Sequence, residues 1–344
     1  MKKTIALFLA LVLTLVCVGC GGKKEEPKKD PEPAPQKEEQ YVANPLTGEP
    51  LEDPAAIDNR PFAVMLNNIH VAMPHHGVSD ADMIFEYNVE GGITRMVGFF
   101  QEVGSVGTIG SVRSARPYFL ETVLGMDAIY VHAGGSEKAD SMLAEYDVDD
   151  INEADFDCFW RDEERAKTMD FEHTLMTSGD RLEKYTSENG WRLKHEAGYQ
   201  YPVTYAKDGT PAGGTNATDI SVEFSSYKTG TFTYDPATKL YMIGQYGGPY
   251  IDGNTGDQVG ITNLLVLRAS TGLIGDGSKC LDIDITGSGD GTYICGGKAM
   301  DIQWHKEDMY DPFSFTTADG SSFPFGIGKT YVCVVDPSAP VSIS

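Results

Sequence analysis

The chain has 344 residues, 41% of them hydrophobic, and carries 27 lysines and arginines against 51 acidic residues, a formal charge of -24. Such a field repels phosphate polymers and anionic head groups, which sets nucleic acid aside as a partner. The length suffices for two ordinary domains behind a leader.

The first residues, MKK followed by TIALFLALVLTLVCVGC, have the positive start, apolar run and small-residue ending of an export signal peptide. The run Cys17-Val18-Gly19-Cys20 fits a lipoprotein cleavage box, although Cys17 stands where leucine is usual. Removal of residues 1–19 is expected, with Cys20 lipidated and the protein held extracytoplasmically, on the outer face of the cytoplasmic membrane. Residues 20–40 alternate charge blocks with proline and contain no aromatic side chain, the composition of a disordered tether.

The folded part is expected from Tyr41. FAVMLNN suits a buried strand, and DADMIFEYNVEG with GITRMVGFFQEVG reads as two strands joined at Gly91-Gly92. ARPYFLETVLGM has apolar residues at helical spacing with Pro117 in its first turn, and DAIYVHAGG follows as a strand. SEKADSMLAEY and SGDRLEKYTSENG read as helices flanking an irregular aromatic stretch. Residues 41–205 thus predict an N-terminal α/β domain. Beyond a Gly- and Thr-rich gap, residues 206–344 alternate apolar and polar side chains in short runs, a C-terminal β-rich domain that is mostly antiparallel. The fold class expected is mixed α+β.

Chemistry is sought first in GSVRSAR, where Arg113 and Arg116 stand three apart ahead of a helix start. Guanidinium forks and the free N–H groups of a helix N-terminus favour the same anion, and Ser111 and Ser114 add hydroxyls. The competing reading pairs these arginines with Asp82, Glu86 or Glu90. YVHAGGS places His132, Gly134, Gly135 and Ser136 at a strand end, where glycine admits a ligand and serine starts a helix. It lacks the lysine-serine ending of a P-loop, and the chain has no G-x-S-x-G elbow. A triad of His132, Ser136 and Asp127 is a further arrangement to weigh.

Glu86 and Glu90, four apart in a strand setting, share a face, with Arg95 returning across the glycine turn. Paired carboxylates divide acid and base roles in glycoside hydrolysis, and also build salt-bridge networks. His75 and His76 read as a surface loop. No carboxylate-histidine or close cysteine spacing indicates a metal, and no cofactor is indicated. Cys158, Cys280, Cys295 and Cys333 fit buried thiols, while export also permits a disulfide among the last three. Trp191 and Trp304 suit either sugar stacking or burial.

The motifs GVSDADMIFEYNVEGGITRM, IGSVRSARPYF, DAIYVHAGGS, GKAMDIQWHKED and GKTYVCVV resemble the YerB-like bacterial lipoproteins, a two-part family of unknown function. The resemblance spans most of residues 60–336 and implies a lipid-anchored envelope protein of Gram-positive type. The chain departs from the family at Ser111, where proline is usual, at Thr174, where His173 would be followed by asparagine, and after Tyr241, where an arginine is missing.

These readings converge on an envelope protein that binds an anionic group, carboxylate or phosphate, of a cell-wall polymer or precursor. Its expected site is Arg95, Arg113, Ser114, Arg116, His132, Gly134, Gly135 and Ser136. The alternatives are an enzyme on cell-wall glycan or phosphodiester links, with Glu86, Glu90 or His132 as candidates, and a protein-interaction scaffold.

Overall fold

The computed structural model describes residues 41–344. The expectations for the signal peptide, for Cys20 and for the tether lie outside the described residues.

The first half supplies β1 (Phe62–Asn68), β2 (Met83–Asn88), β3 (Thr94–Phe100), β4 (Thr108–Gly110), α1 (Pro117–Gly125), β5 (Ile129–Val131), α2 (Glu137–Glu145), β6 (Asp150–Ile151), β7 (Trp160–Arg161), β8 (Leu175–Ser178) and α3 (Gly179–Glu188). β1 is buried at every position: its apolar run Phe62–Leu66 suits a strand inside a sheet, and Asn67 and Asn68 at its end are buried as well. β2 and β3 pair antiparallel, and Gly91 and Gly92 between them take φ of 75° and 76°, which an L side chain resists. Pro117 opens α1, where its missing N–H costs nothing. Ser136 caps α2 by accepting from the Ala139 N–H.

From the second half come β9 (Thr215–Asn216), β10 (Asp219–Glu223), β11 (Thr229–Asp235), β12 (Leu240–Gln245), β13 (Gly248–Pro249), β14 (Gly260–Ile261), β15 (Asn263–Arg268), β16 (Gly287–Cys295), β17 (Lys298–Lys306), β18 (Ser314–Thr317), β19 (Thr330–Val335) and β20 (Val341–Ile343). The mixed α+β class is as expected.

The two halves share a sheet. An eleven-stranded sheet runs β9-β17-β16-β15-β19-β2-β3-β1-β5-β6, with β18 on β17. The near-terminal β19 lies between β2 and β15, parallel to both. A second sheet runs β13-β12-β11-β10-β20, with β14 on β12, and β4-β8-β7 forms a small third.

The large sheet is covered on both faces, which explains its apolar strands. On one face Phe85, Tyr87, Val97 and Phe99 pack with Tyr118, Phe119 and Val123 of α1. On the other, Val64, Ile84, Met96 and Tyr331 pack with Ile220, Phe232 and Ile243 of the second sheet. The four described cysteines are free thiols, with Cys158, Cys295 and Cys333 buried.

Candidate functional site

The GSVRSARP segment is held extended against the end of the large sheet. The Arg113 N–H donates to the Met65 carbonyl of β1, and the Arg113 carbonyl accepts from Ala133 beyond β5. The Ala115 N–H donates to Gly134, and the Ala115 carbonyl accepts from Ser136. These bonds fix the backbone, so the side chains of Arg113, Ser114 and Arg116 leave it at set positions beside Arg95 on β3.

Three arginines meet there in three electrostatic conditions. Arg116 is locked: its Nε and Nη2 donate to the two Glu90 oxygens at 2.6 and 2.8 Å, and its Nη1 donates to the Ala115 carbonyl at 2.6 Å. Burial alone would raise the Glu90 carboxyl, but hydrogen bonds and charge from Arg116 outweigh it and hold Glu90 at about 2. Arg113 is tied at the rim, with Nη1 donating to the Glu172 carbonyl at 2.9 Å and Nη2 to its Oε2 at 3.2 Å; its buried Nε bonds nothing. The Arg113 charge in turn lowers the Glu172 carboxyl.

Among the described residues Arg95 has no counter-ion. It is 5% exposed, and its one hydrogen bond runs from Nη1 to the Ser114 carbonyl at 3.0 Å. Its buried Nε has no partner, and no described carboxylate forms an ion pair with it. Burial, followed by the charges of Arg116 and Arg113, pulls this guanidinium down to about 10. A buried cation with an orphaned donor is costly unless something else supplies the acceptor. Arg161 adds a fourth guanidinium nearby, stacked 3.8 Å above the Phe171 ring and 3.6 Å from Glu153.

The glycine turn meets the arginine segment through backbone bonds at Ala115, but the side chain of His132 turns to Asp150 instead. His132 is 3% exposed, with Nδ1 bonded to the Gly134 carbonyl at 2.9 Å and Nε2 to Asp150 Oδ2 at 3.0 Å. Both ring nitrogens are therefore engaged, and Ser136 spends its hydroxyl on the cap of α2. A Cβ on Gly135 would lie 1.9 Å from Asp140 Oδ1, so the room this glycine leaves is filled by a carboxylate of the chain itself. His132 and Gly134 line a 560 Å³ groove whose charged walls are Asp140, Asp147, Asp150 and Glu153. Such walls repel an anion. The His132-Ser136-Asp127 triad does not form, since Asp127 instead bonds His195 Nδ1 at 2.8 Å.

The carboxylate pair is not a pair in space. β2 ends at Asn88, and Glu90 lies beyond it in the turn, so the four-residue spacing does not put the two acids on one strand face. Glu86 is 0% exposed and saturated by Asn68, Thr94 and Tyr331 at 2.6 to 2.7 Å. Sealed from solvent, Glu86 meets no substrate beside Glu90.

The double histidine also departs from a simple surface loop. His76 is half-buried, whereas His75 is fully buried, its Nδ1 2.8 Å from the Tyr250 hydroxyl and its Nε2 unpartnered. Burial, with Arg165 and Lys228 adding to it, pushes His75 down to about 3. Trp304 is buried, seated on Gly289, and Trp191 packs edge-on against Tyr185.

Sequence reading missed three groups that the fold assembles. Glu172 and Arg161 reach the arginines because the β4-β8-β7 ladder folds the irregular aromatic stretch back over them. Lys228 reaches Glu86 from the loop between β10 and β11. His195 bridges Asp127 and the Tyr201 hydroxyl, each at 2.8 Å, beside a 1060 Å³ cavity that Tyr41, Tyr199 and Tyr205 also line. None of the three has a local spacing that would have found it.

Comparison with known proteins adds family relationships. The N-terminal domain model of DUF3048, a protein of unknown function, matches residues 46–192, and the corresponding C-terminal domain model matches residues 220–332. "Putative lipoprotein YerB" of Bacillus subtilis is 32% identical over 307 residues, which are 87% of this chain and 88% of that protein. The crystal structure of YerB from Bacillus subtilis aligns with a TM-score of 0.77 at 29% identity, covering 88% of this chain and 100% of the solved one.

Proposed function

This chain belongs to the DUF3048 family of unknown function, and on that basis we propose a lipid-anchored envelope protein whose Arg95–Arg113 cluster binds one anionic group of a cell-wall polymer or precursor. The anchor is Cys20, on the outer face of the cytoplasmic membrane of a Gram-positive cell. The lipoprotein name carried by the Bacillus relative and the Cys17-Val18-Gly19-Cys20 run both support it.

The observation that carries the binding reading is Arg95, buried, charged and without a carboxylate partner among the described residues. A ligand carboxylate or phosphate supplies the missing acceptor, in a setting where charge-assisted bonds are strong. Arg113 offers its neighbouring fork once Glu172, whose side chain is 59% exposed, swings away. Ser114 adds a hydroxyl. Arg116, fixed by Glu90, contributes position and field rather than direct contact. The alternative enzyme gains no support from Glu86 or Glu90, because neither is free to exchange a proton with a substrate.

The test is calorimetric titration of the full-length protein in detergent with inorganic phosphate, glycerol 3-phosphate and D-alanyl-D-alanine. Saturable binding of at least one, weakened about tenfold or more in Arg95→Met, is expected from loss of a charge-assisted bond. Equal binding by parent and Arg95→Met, or no binding of any of the three, refutes the reading.

A further inference from the structure

We infer that the solvent face of the second sheet is a separate binding groove for an uncharged pyranose oligosaccharide. The groove has a volume of 810 Å³ and lies over β11 and β12, lined also by the turn from Tyr246 to Pro249. Its lining holds tyrosine, threonine, glutamine, methionine, glycine and proline, and no acid, lysine, arginine or histidine. In a chain of charge -24, a charge-free groove of this size favours a ligand that is itself uncharged.

The polar groups are arranged for hydroxyl recognition. Thr229, Thr231 and Thr233 alternate along β11, so their side chains share the outer face about 7 Å apart. Among the described residues, only the Thr233 hydroxyl of the three has a partner, Asp219 at 3.3 Å. Gln258 donates its Nε2 to the Ile243 carbonyl at 2.8 Å, which presents a fixed amide to the groove. Opposite Thr231 stands Gly244, where a Cβ would come within 2.5 Å of the Thr231 hydroxyl; glycine keeps the floor flat and that hydroxyl in place.

An aromatic wall completes the site. Tyr246 is braced from behind by His70 at 5.2 Å and by its hydroxyl bond to the Asn68 carbonyl at 2.7 Å. Tyr227 meets Tyr246 edge-on at 5.6 Å and is 42% exposed. Held rings beside free hydroxyls match a sugar, which shows C–H faces and hydroxyls together. An added peptide strand is disfavoured, because β12 is already paired with β11 on one side and with β13 and β14 on the other.

The groove and the arginine cluster share no residue, so their tests are independent. The full-length protein, in a detergent without a sugar head group, is titrated calorimetrically with tetra-N-acetylchitotetraose and with cellotetraose. We expect saturable binding of at least one, weakened about tenfold by Tyr227→Ala and by Thr231→Val, and retained in Arg95→Met. Thr231→Val keeps volume and removes one hydroxyl, so an unchanged melting temperature with lost affinity separates binding from folding. Absence of binding by both oligosaccharides, or binding that survives both groove substitutions, overturns the inference.

Discussion

Glu86 and Lys228 lie 3.3 Å apart in the interior, with side chains 0% and 1% exposed, one contributed by each half of the chain. The carboxylate also accepts from Asn68, Thr94 and Tyr331, and the ammonium donates to Gln245. A charge pair so placed tolerates joint replacement far better than loss of one member. Lys228→Met is expected to cost about 3–5 kcal/mol by stranding the Glu86 charge. Guanidinium unfolding followed by circular dichroism and tryptophan fluorescence should stay a single transition, since the halves share a sheet and this pair. A cost below about 1 kcal/mol, or two separated transitions, contradicts this.

Acid stability should fail in two stages. His75 is held at about 3 against an ordinary 6.5, so below pH 6.5 the unfolded chain takes up a proton that the folded chain refuses. The His75 contribution therefore falls from pH 6.5 toward 3, partly offset by Asp82, whose carboxyl is raised by burial to about 6 and which favours folding as pH falls through 6. Glu90, at about 2 against 4.5, contributes stability that is complete above pH 4.5 and is lost as pH falls through 2. Arg116→Met is expected to flatten the limb below pH 4.5 while leaving the upper limb unchanged. Urea unfolding across pH 3–7 checks this, and an unchanged lower limb would count against the Arg116–Glu90 pairing.

Thiol reactivity distinguishes free cysteines from disulfides. Cys158, Cys295 and Cys333 are buried free thiols, while Cys280 is half-buried beside Glu90. Alkylation of native protein followed by peptide mass mapping should label Cys280 first, and all four described cysteines only after denaturation. A disulfide-linked peptide among Cys280, Cys295 and Cys333 would contradict the structure.

Local features were the legible ones. The Gly91-Gly92 turn, the Pro117 helix start and the buried FAVMLNN strand each depend on neighbouring residues, and each stands where the sequence puts it. Arg113 and Arg116 were also legible, because residues three apart on one clamped segment must stay together. Glu86 and Glu90 misled because a two-residue period holds only while the strand continues, and β2 stops at Asn88. His132 misled because its partner Asp150 arrives from β6. The shared sheet was hidden as well: nothing local to KTYVCVV says that it will lie against β2.

Thermal melting of parent and Arg95→Met, with and without inorganic phosphate or D-alanyl-D-alanine, tests most directly whether Arg95 is a buried cation awaiting an anion. Without ligand, Arg95→Met should melt higher than the parent, by roughly 2 °C for each 1 kcal/mol relieved, and should not respond to anion. The parent should rise with anion concentration as a bound ligand requires. A lower unliganded melting point in Arg95→Met, together with a parent that ignores every anion, would show that Arg95 holds the fold and binds nothing.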